Sequence, residues 1–333
     1  VINPLEIEVP AGVPAAKTID SSAASKATPS SPSKPKNEQN PIIILWDLDE
    51  TLIAFQSVLQ NTYKNRFPVP EAAQSNVAAV RKWREDLVQA AENVADLIVD
   101  VASAQCFLDD LKDKVPVSNV NDGDAYDDGA DLDKHNFADD ALALSDHPSF
   151  FKLTQARHSL LQMSHVSPFN RLTDEQRVCA AYRCRRVRDL YVEEAKNPGK
   201  GTFRYEEEGQ NSANKLDALI GGWAEKARKI LKDLQDKNAR HIIVSAGLLV
   251  STLIKLCMFD LAPYVDVHDV YSASAAGKAR VFKQIVSKIR AENENSDATA
   301  PFVCAAGDSW EEQNAANEVG ITFFKIACLS DLM

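Results

Sequence analysis

The chain has 333 residues, 45% of them hydrophobic and 26% charged, with a formal net charge of −11. That is enough for two domains, or for one domain with a large insertion. The acidic balance argues against direct nucleic-acid binding, which needs clustered Lys and Arg, and the longest apolar runs fall far short of a membrane span.

Residues 1–40 are rich in Ser, Pro, Ala and Lys, with few bulky apolar residues, and are expected to be a disordered tail. Pro41-Ile-Ile-Ile-Leu-Trp46 is the first strong element, a β-branched apolar run suited to a strand buried on both faces of a parallel sheet. A helix is expected from near Leu52. No comparable strand follows until Arg240, whereas 76–108, 153–163 and 176–195 carry helical patterning, so 54–222 reads as a mostly helical insertion. From Trp223 onward helix and strand alternate: a helix over 223–234, a strand at His241–Val244, a helix over 248–259 and a short strand near 267–271. A helix over 278–291 and strands at Phe302–Ala306 and Ile321–Ile326 complete the pattern. Such alternation predicts right-handed crossovers and a parallel α/β sheet. The domains are then a tail (1–40), a Rossmann-like α/β core (41–53 and 223–333) and a helical cap (54–222).

Ligands of open α/β sheets bind outside the carboxyl ends of the strands, and two strands here end in acid, at Asp47-Leu-Asp49 and Gly307-Asp308. A single Asp after a strand is usually a helix cap. Three clustered carboxylates, Asp47, Asp49 and Asp308, instead repel one another unless a cation sits among them. Hard oxygen ligands with a phosphate as the further ligand suit Mg2+. Ser245 and the backbone N–H of Ala246 follow a strand and open a helix, where phosphate oxygens are readily held, and Lys278 opens another helix with an ammonium suited to phosphate charge. Ser309 and Glu312 match a capping box, which gives Glu312 a structural role. Glu311, three residues after Asp308, is the candidate to orient a metal-bound water, and Thr51 the candidate to support the Asp47 turn.

Asp47-Leu-Asp-Glu-Thr51 resembles the first motif of the haloacid dehalogenase superfamily, followed in order by Ser245, Lys278 and Asp308. On that resemblance Asp47 is the nucleophile. Asp49 protonates the leaving oxygen and then activates water, while its carbonyl joins the metal site. A neutral Asp49 at pH 7 would need a raised pKa, expected from burial under the cap.

The likeness narrows further. Trp46-Asp-Leu-Asp-Glu-Thr-Leu-Ile53 with Asn61-Thr-Tyr63, Tyr126–Leu132 with Asn136-Phe137, Tyr182–Tyr191, Val270–Ser274 with Gly277-Lys278, and Gly307–Glu312 resemble the Eyes absent domain over nearly all of 42–333. The resemblance implies a protein-tyrosine phosphatase that is also a transcriptional co-regulator of nucleus and cytoplasm, with a homeodomain transcription factor as a partner of the cap. In length the chain resembles the shorter plant or protist forms. It begins at Val1, as a fragment or processed form does, and stops at Met333, where the family continues into a final helix.

Three other readings stand beside this one: a Ser/Thr phosphatase of the same superfamily, which the large insertion disfavours; a small-molecule phosphatase; and a non-catalytic scaffold for a transcription factor. The six cysteines are expected to be reduced thiols, none of them in the Cys-x5-Arg arrangement of thiol phosphatases. Arg183, Arg185, Arg186 and Arg188 are expected to form salt bridges within the cap, and the acidic run from Asp109 to Asp140 to be a solvated loop.

Overall fold

Ile42–Trp46 forms the central strand β1, and alternation divides its side chains between two cores. Ile44 and Trp46 join one apolar cluster and Ile43 and Leu45 the other, so a run that is apolar at every position is buried on both faces. The computed structural model describes residues 41–63, 67, 69–74, 76–106, 118–124, 127–129, 131–132, 174–197, 206–294 and 299–332. The expected tail and the helix expected over 153–163 lie outside the described residues.

Four further strands complete an all-parallel sheet around β1: β2 (Ala239–Ser245), β3 (Val270–Ser272), β4 (Phe302–Gly307) and β5 (Thr322–Lys325), in the order β3-β2-β1-β4-β5. The chain leaves β1 towards β2 and returns on its other side at β4. The switch point therefore lies at β1 and β4. This is an α/β sheet of the haloacid dehalogenase type, as the motifs imply.

The inserted stretch contributes helices α1 (Val77–Cys106), α2 (Asp174–Lys196) and α3 (Glu206–Leu219), with short turns at Gln56–Leu59, Glu71–Gln74 and Asn121–Asp124. The core adds α4 (Trp223–Gln235), α5 (Leu249–Met258), α6 (Lys278–Glu294) and α7 (Trp310–Val319). Val281, Phe282 and Ile285 of α6 and Ala315 and Ala316 of α7 cover the Ile43 face. The Ile44 face is covered by α5 together with Leu87 and Val94 of α1, Tyr191 of α2 and Leu216 of α3. The inserted helices thus share a core with the sheet, and Asn40–Met333 forms one unit.

Aromatic residues tie the insertion to the first motif. Trp223 donates from Nε1 to the Thr51 carbonyl at 2.9 Å, Trp83 donates to Leu219 O at 3.0 Å, and Phe67 meets the Trp223 ring edge-on. Arg185 pairs with Asp127 at 2.7 Å and Arg188 with Asp124 at 2.8 Å, so these two arginines and two acids of the acidic run neutralise each other. Being partly exposed, each pair contributes about 0–1 kcal/mol.

The helix expected from near Leu52 does not begin there. Glu50 takes a φ of 67°, and the N–H groups of Thr51, Leu52 and Ile53 all turn onto Leu48 O, at 3.3, 2.9 and 3.1 Å. The first helical turn starts only at Gln56, after Glu50 Oε1 has accepted the N–H groups of Phe55 and Ser57. The strand expected near 267–271 begins at Val270, because the Asp266 side chain caps a 3-10 turn over Val267–Asp269.

Beneath the site, Trp46 donates from Nε1 to His241 Nδ1 at 3.1 Å, and His241 Nε2 lies 3.0 Å from Leu231 O. Only a neutral imidazole protonated on Nε2 satisfies both contacts. Burial accordingly holds the His241 pKa below its ordinary 6.5, against the weaker opposing pull of the Leu231 carbonyl. Below pH 6.5 the unfolded chain then binds more protons than the folded one, so this group's contribution is present above 6.5 and lost as pH falls through the depressed value. His241→Gln is expected to flatten the fall of the thermal midpoint between pH 7 and pH 5; slopes identical to wild type would contradict this.

Candidate active site

The strand ends β1 and β4 are laced together by the Asp47 N–H, which donates to Ala306 O at 2.9 Å. Asp47 is thereby fixed at the switch point, 4% exposed, one strand away from Asp308. Thr51 Oγ1, returned by the tight turn, donates to Asp47 Oδ2 at 3.3 Å. Gly277, at φ 78°, turns the chain into α6 so that Lys278 enters the crevice from the helix N-terminus. Its Nζ donates to Asp47 Oδ1 at 2.6 Å and to Glu312 Oε1.

Glu312 holds two posts. Oε2 accepts the Ser309 N–H at 2.9 Å and completes the capping box of α7, while Oε1 pairs with Lys278. Gly307 makes this possible, since a Cβ there would stand 2.7 Å from Glu312 Cγ. One carboxylate oxygen from each of Asp47, Asp308 and Glu312 falls within a 4.8 Å group.

The electrostatics follow from three acids and one base in a crevice where Asp47, Lys278 and Glu312 are buried and Asp308 is partly buried. Burial, partly offset by Lys278 and reinforced by the Glu312 charge, pushes Asp47 up to about 7. Burial opposes the Lys278 ammonium too, but the two carboxylates outweigh it and raise its pKa. Burial likewise works against the Glu312 carboxylate, and Lys278 with the Ser309 bonds wins, lowering its pKa. Lys278 alone therefore leaves Asp47 short of positive charge, and a divalent cation held by hard oxygen donors fits this deficit.

The residues expected from the sequence are distributed as follows. Asp47, Lys278 and Asp308 come together. Ser245 ends β2 at 1% exposure, its Oγ accepting the Gly247 N–H at 3.0 Å, and the exposed Ala246 lies between them in the loop before α5. Ala273 N–H donates to Ser245 O at 2.7 Å and Ser272 Oγ to Gly247 O at 2.7 Å, binding the β3 end to this loop. Asp49 turns its side chain to Lys255, with Nζ at 2.8 and 2.9 Å from its two oxygens, and does not enter the three-carboxylate group. Glu311 is exposed, and its N–H donates to Ser309 Oγ at 3.1 Å, so the cluster takes in Glu312 instead. Two residues of the crevice went unread. Glu312 does cap α7, as its spacing from Ser309 implies, and its other oxygen reaches Lys278, a second role that the capping pattern does not signal. Lys255, a lone cation within the apolar Leu253–Met258 stretch, was not singled out.

The Cys-x5-Arg spacing is in fact present, at Cys179 and Arg185. Both lie inside α2, whose backbone N–H groups serve the helix and cannot form a phosphate cradle, and Arg185 is paired with Asp127. All six cysteines are free, and burial pushes the Cys106 and Cys184 thiols up to about 12. No described helix is long and apolar enough to cross a membrane.

No family model matches the chain. Among curated proteins it is 26% identical to "Protein phosphatase EYA2" of Homo sapiens over 306 residues, 91% of this chain and 50% of that protein. It is 24% identical to "Protein phosphatase EYA" of Arabidopsis thaliana over 287 residues, 85% of this chain and 82% of that protein. To "Protein phosphatase EYA3" of Gallus gallus it is 32% identical over 110 residues, which cover 92% of that sequence. The chain belongs to the Eyes absent family. It spans about half the length of the human Eyes absent protein it matches.

Proposed function

We propose that the chain is a Mg2+-dependent protein-tyrosine phosphatase that works through a phospho-aspartate at Asp47. The observation carrying this reading is the buried Asp47, 2.6 Å from Lys278 and grouped with two more carboxylates at the switch point. Asp47, Asp308 and Glu312 would hold the ion, with the Asp49 carbonyl implied by the family. Bound there, Mg2+ supplies positive charge to the phosphoryl oxygens.

Asp47 Oδ attacks phosphorus, and the bond to the leaving oxygen breaks as that oxygen takes a proton from Asp49. Water then attacks phosphorus, the bond to Asp47 breaks, and the water proton passes to Asp49. Lys278 screens Asp47 from the phosphate dianion, and the Ser245–Gly247 loop offers a hydroxyl and N–H groups to its oxygens. A phenol leaves more readily than an alkyl alcohol, with a pKa of about 10 for Tyr, which favours phosphotyrosine. The wider reading adds a homeodomain transcription factor docked on the inserted helices, and residence in nucleus and cytoplasm. Family resemblance alone supports that part.

The test follows phosphate release from matched phosphotyrosyl and phosphoseryl peptides, with Mg2+ and with chelator. Faster release from the tyrosyl peptide, silenced by chelator and restored by Mg2+, is expected. Equal rates on both peptides remove the tyrosine assignment, and full activity in chelator removes the metal.

A further inference from the structure

Three of the four tryptophans are buried, with their indole N–H groups donated inside the fold: Trp46 to His241, Trp83 to Leu219 and Trp223 to Thr51. Trp310 is 73% exposed. A single exposed apolar side chain needs no explanation by itself, but its place does. Trp310 opens α7 two residues after Asp308, at the carboxyl end of β4 where the three carboxylates gather. Ser309 between them is extended, at φ −113° and ψ 169°. Asp308 and Trp310 therefore project from the same side of the chain, with their Cα atoms about 7 Å apart. Side chains of a helix also lean towards its N-terminus, which here is the crevice end. Among the other exposed large apolar residues described, Phe302 starts β4 at the opposite end of the sheet, Phe324 lies on the edge strand β5 and Val77 opens α1. The neighbouring helix start leaves room. α6 and α7 share an apolar cluster and are joined by the Lys278–Glu312 pair. The chain enters α6 through Ser274-Ala-Ala-Gly277, all small residues, and a Cβ at Gly277 would meet nothing within 4 Å. The crevice thus has an open mouth beside Lys278 and a large aromatic plane at its rim.

We propose that Trp310 is a specificity-determining residue whose indole stacks on the aryl ring of a phosphotyrosyl ester. The inference rests on the phosphatase reading above and deepens it, by naming the residue that selects the substrate's ring. Phosphorus must reach the buried Asp47 at the bottom of the crevice. In an aryl ester one oxygen joins the ring to phosphorus, so the ring lies just above the phosphate, at the level of the rim. A seryl ester places only a methylene and peptide backbone there, and these offer the indole far less surface. Offset-stacked or edge-to-face pairing needs a ring on both partners, so it separates tyrosyl from seryl esters. The ring is not the reacting group, and the contact is made equally before and during phosphoryl transfer. It therefore lowers KM and leaves the chemical step to Asp47. The easier departure of a phenol acts through kcat, so the two sources of selectivity can be measured apart.

The experiment uses the full chain with Mg2+, comparing wild type, Trp310→Ala and Trp310→Phe on matched phosphotyrosyl and phosphoseryl peptides. Trp310→Ala is expected to raise KM for the tyrosyl peptide about three- to tenfold, the range of one aromatic pair, with a much smaller change for the seryl peptide. Trp310→Phe should recover most of the loss. Both variants should melt at the wild-type temperature, because the side chain is exposed. A second readout needs no turnover. With the other three tryptophans buried, quenching of fluorescence by acrylamide reports on Trp310. Benzylphosphonate, at the concentration that halves phosphate release, should shield it, and ethylphosphonate at its own halving concentration should not. Equal changes on both peptides, or none on either, overturn the inference. So does a fall in kcat with KM unaltered, or quenching that benzylphosphonate leaves unchanged. If wild type releases no phosphate from either peptide, the phosphatase reading itself fails, and this inference with it. If wild type prefers the tyrosyl peptide and Trp310→Ala keeps that preference, the role of Trp310 alone is refuted.

Discussion

Asp47→Asn is expected to reduce phosphate release at least ~10³-fold, the scale on which removal of a covalent nucleophile is felt, while leaving the fold intact. The amide has nearly the volume of the carboxylate but no oxygen able to attack phosphorus. Stability should hold because the wild-type group is already disfavoured as an anion. Burial first, and the Glu312 charge with it, raise Asp47 from 3.8 to about 7 despite Lys278. For an acid raised in this way, the folded chain binds more protons than the unfolded one between those two values. Its stability therefore falls as pH rises through the window. Asn removes that dependence. In chelator at pH 7.5, the variant should unfold at the wild-type temperature or above. Ordinary turnover by Asp47→Asn would remove the nucleophile assignment, and a lower midpoint would show that the carboxylate stabilises the fold.

Lys278→Met carries the second large effect, this time on stability. Its ammonium bridges Asp47 and Glu312, and the three side chains are 5%, 5% and 2% exposed. Taking away one member of a buried charged group leaves uncompensated charge, at a cost of about 3–5 kcal/mol. The variant should show a clearly lower urea midpoint with an unchanged m-value, together with loss of phosphate release. Adding Glu312→Gln removes the carboxylate charge that loses its partner and should recover part of the stability but none of the activity. An unchanged midpoint for Lys278→Met would mean that water reaches the crevice and the burial is illusory.

The parallel core was readable because its signals are local. Ile42–Trp46 is apolar at every position, and helical spacing separates it from the later strands, so alternation and length already imply crossovers over a two-sided sheet. The acids Asp47 and Asp308 were readable for the same reason: each directly follows such a run. The sequence alone therefore specified the strands, their sense and the two acids at their ends, while the nucleophile role of Asp47 is what the family resemblance implies.

Three matters were left to tertiary structure. The turn at Glu50 depends on three N–H groups converging on one carbonyl and on a left-handed residue, and neither leaves a periodicity to read. Glu311 and Glu312 are adjacent and chemically almost alike. About 100° of helix rotation sends one to solvent and the other to Lys278, and only packing against Gly307 determines which. Lys255 could equally have been a surface lysine until the inserted helices closed over the Ile44 face of the sheet. What is buried depends on contacts between segments distant in the chain, and the Lys255–Asp49 pair spans 206 residues.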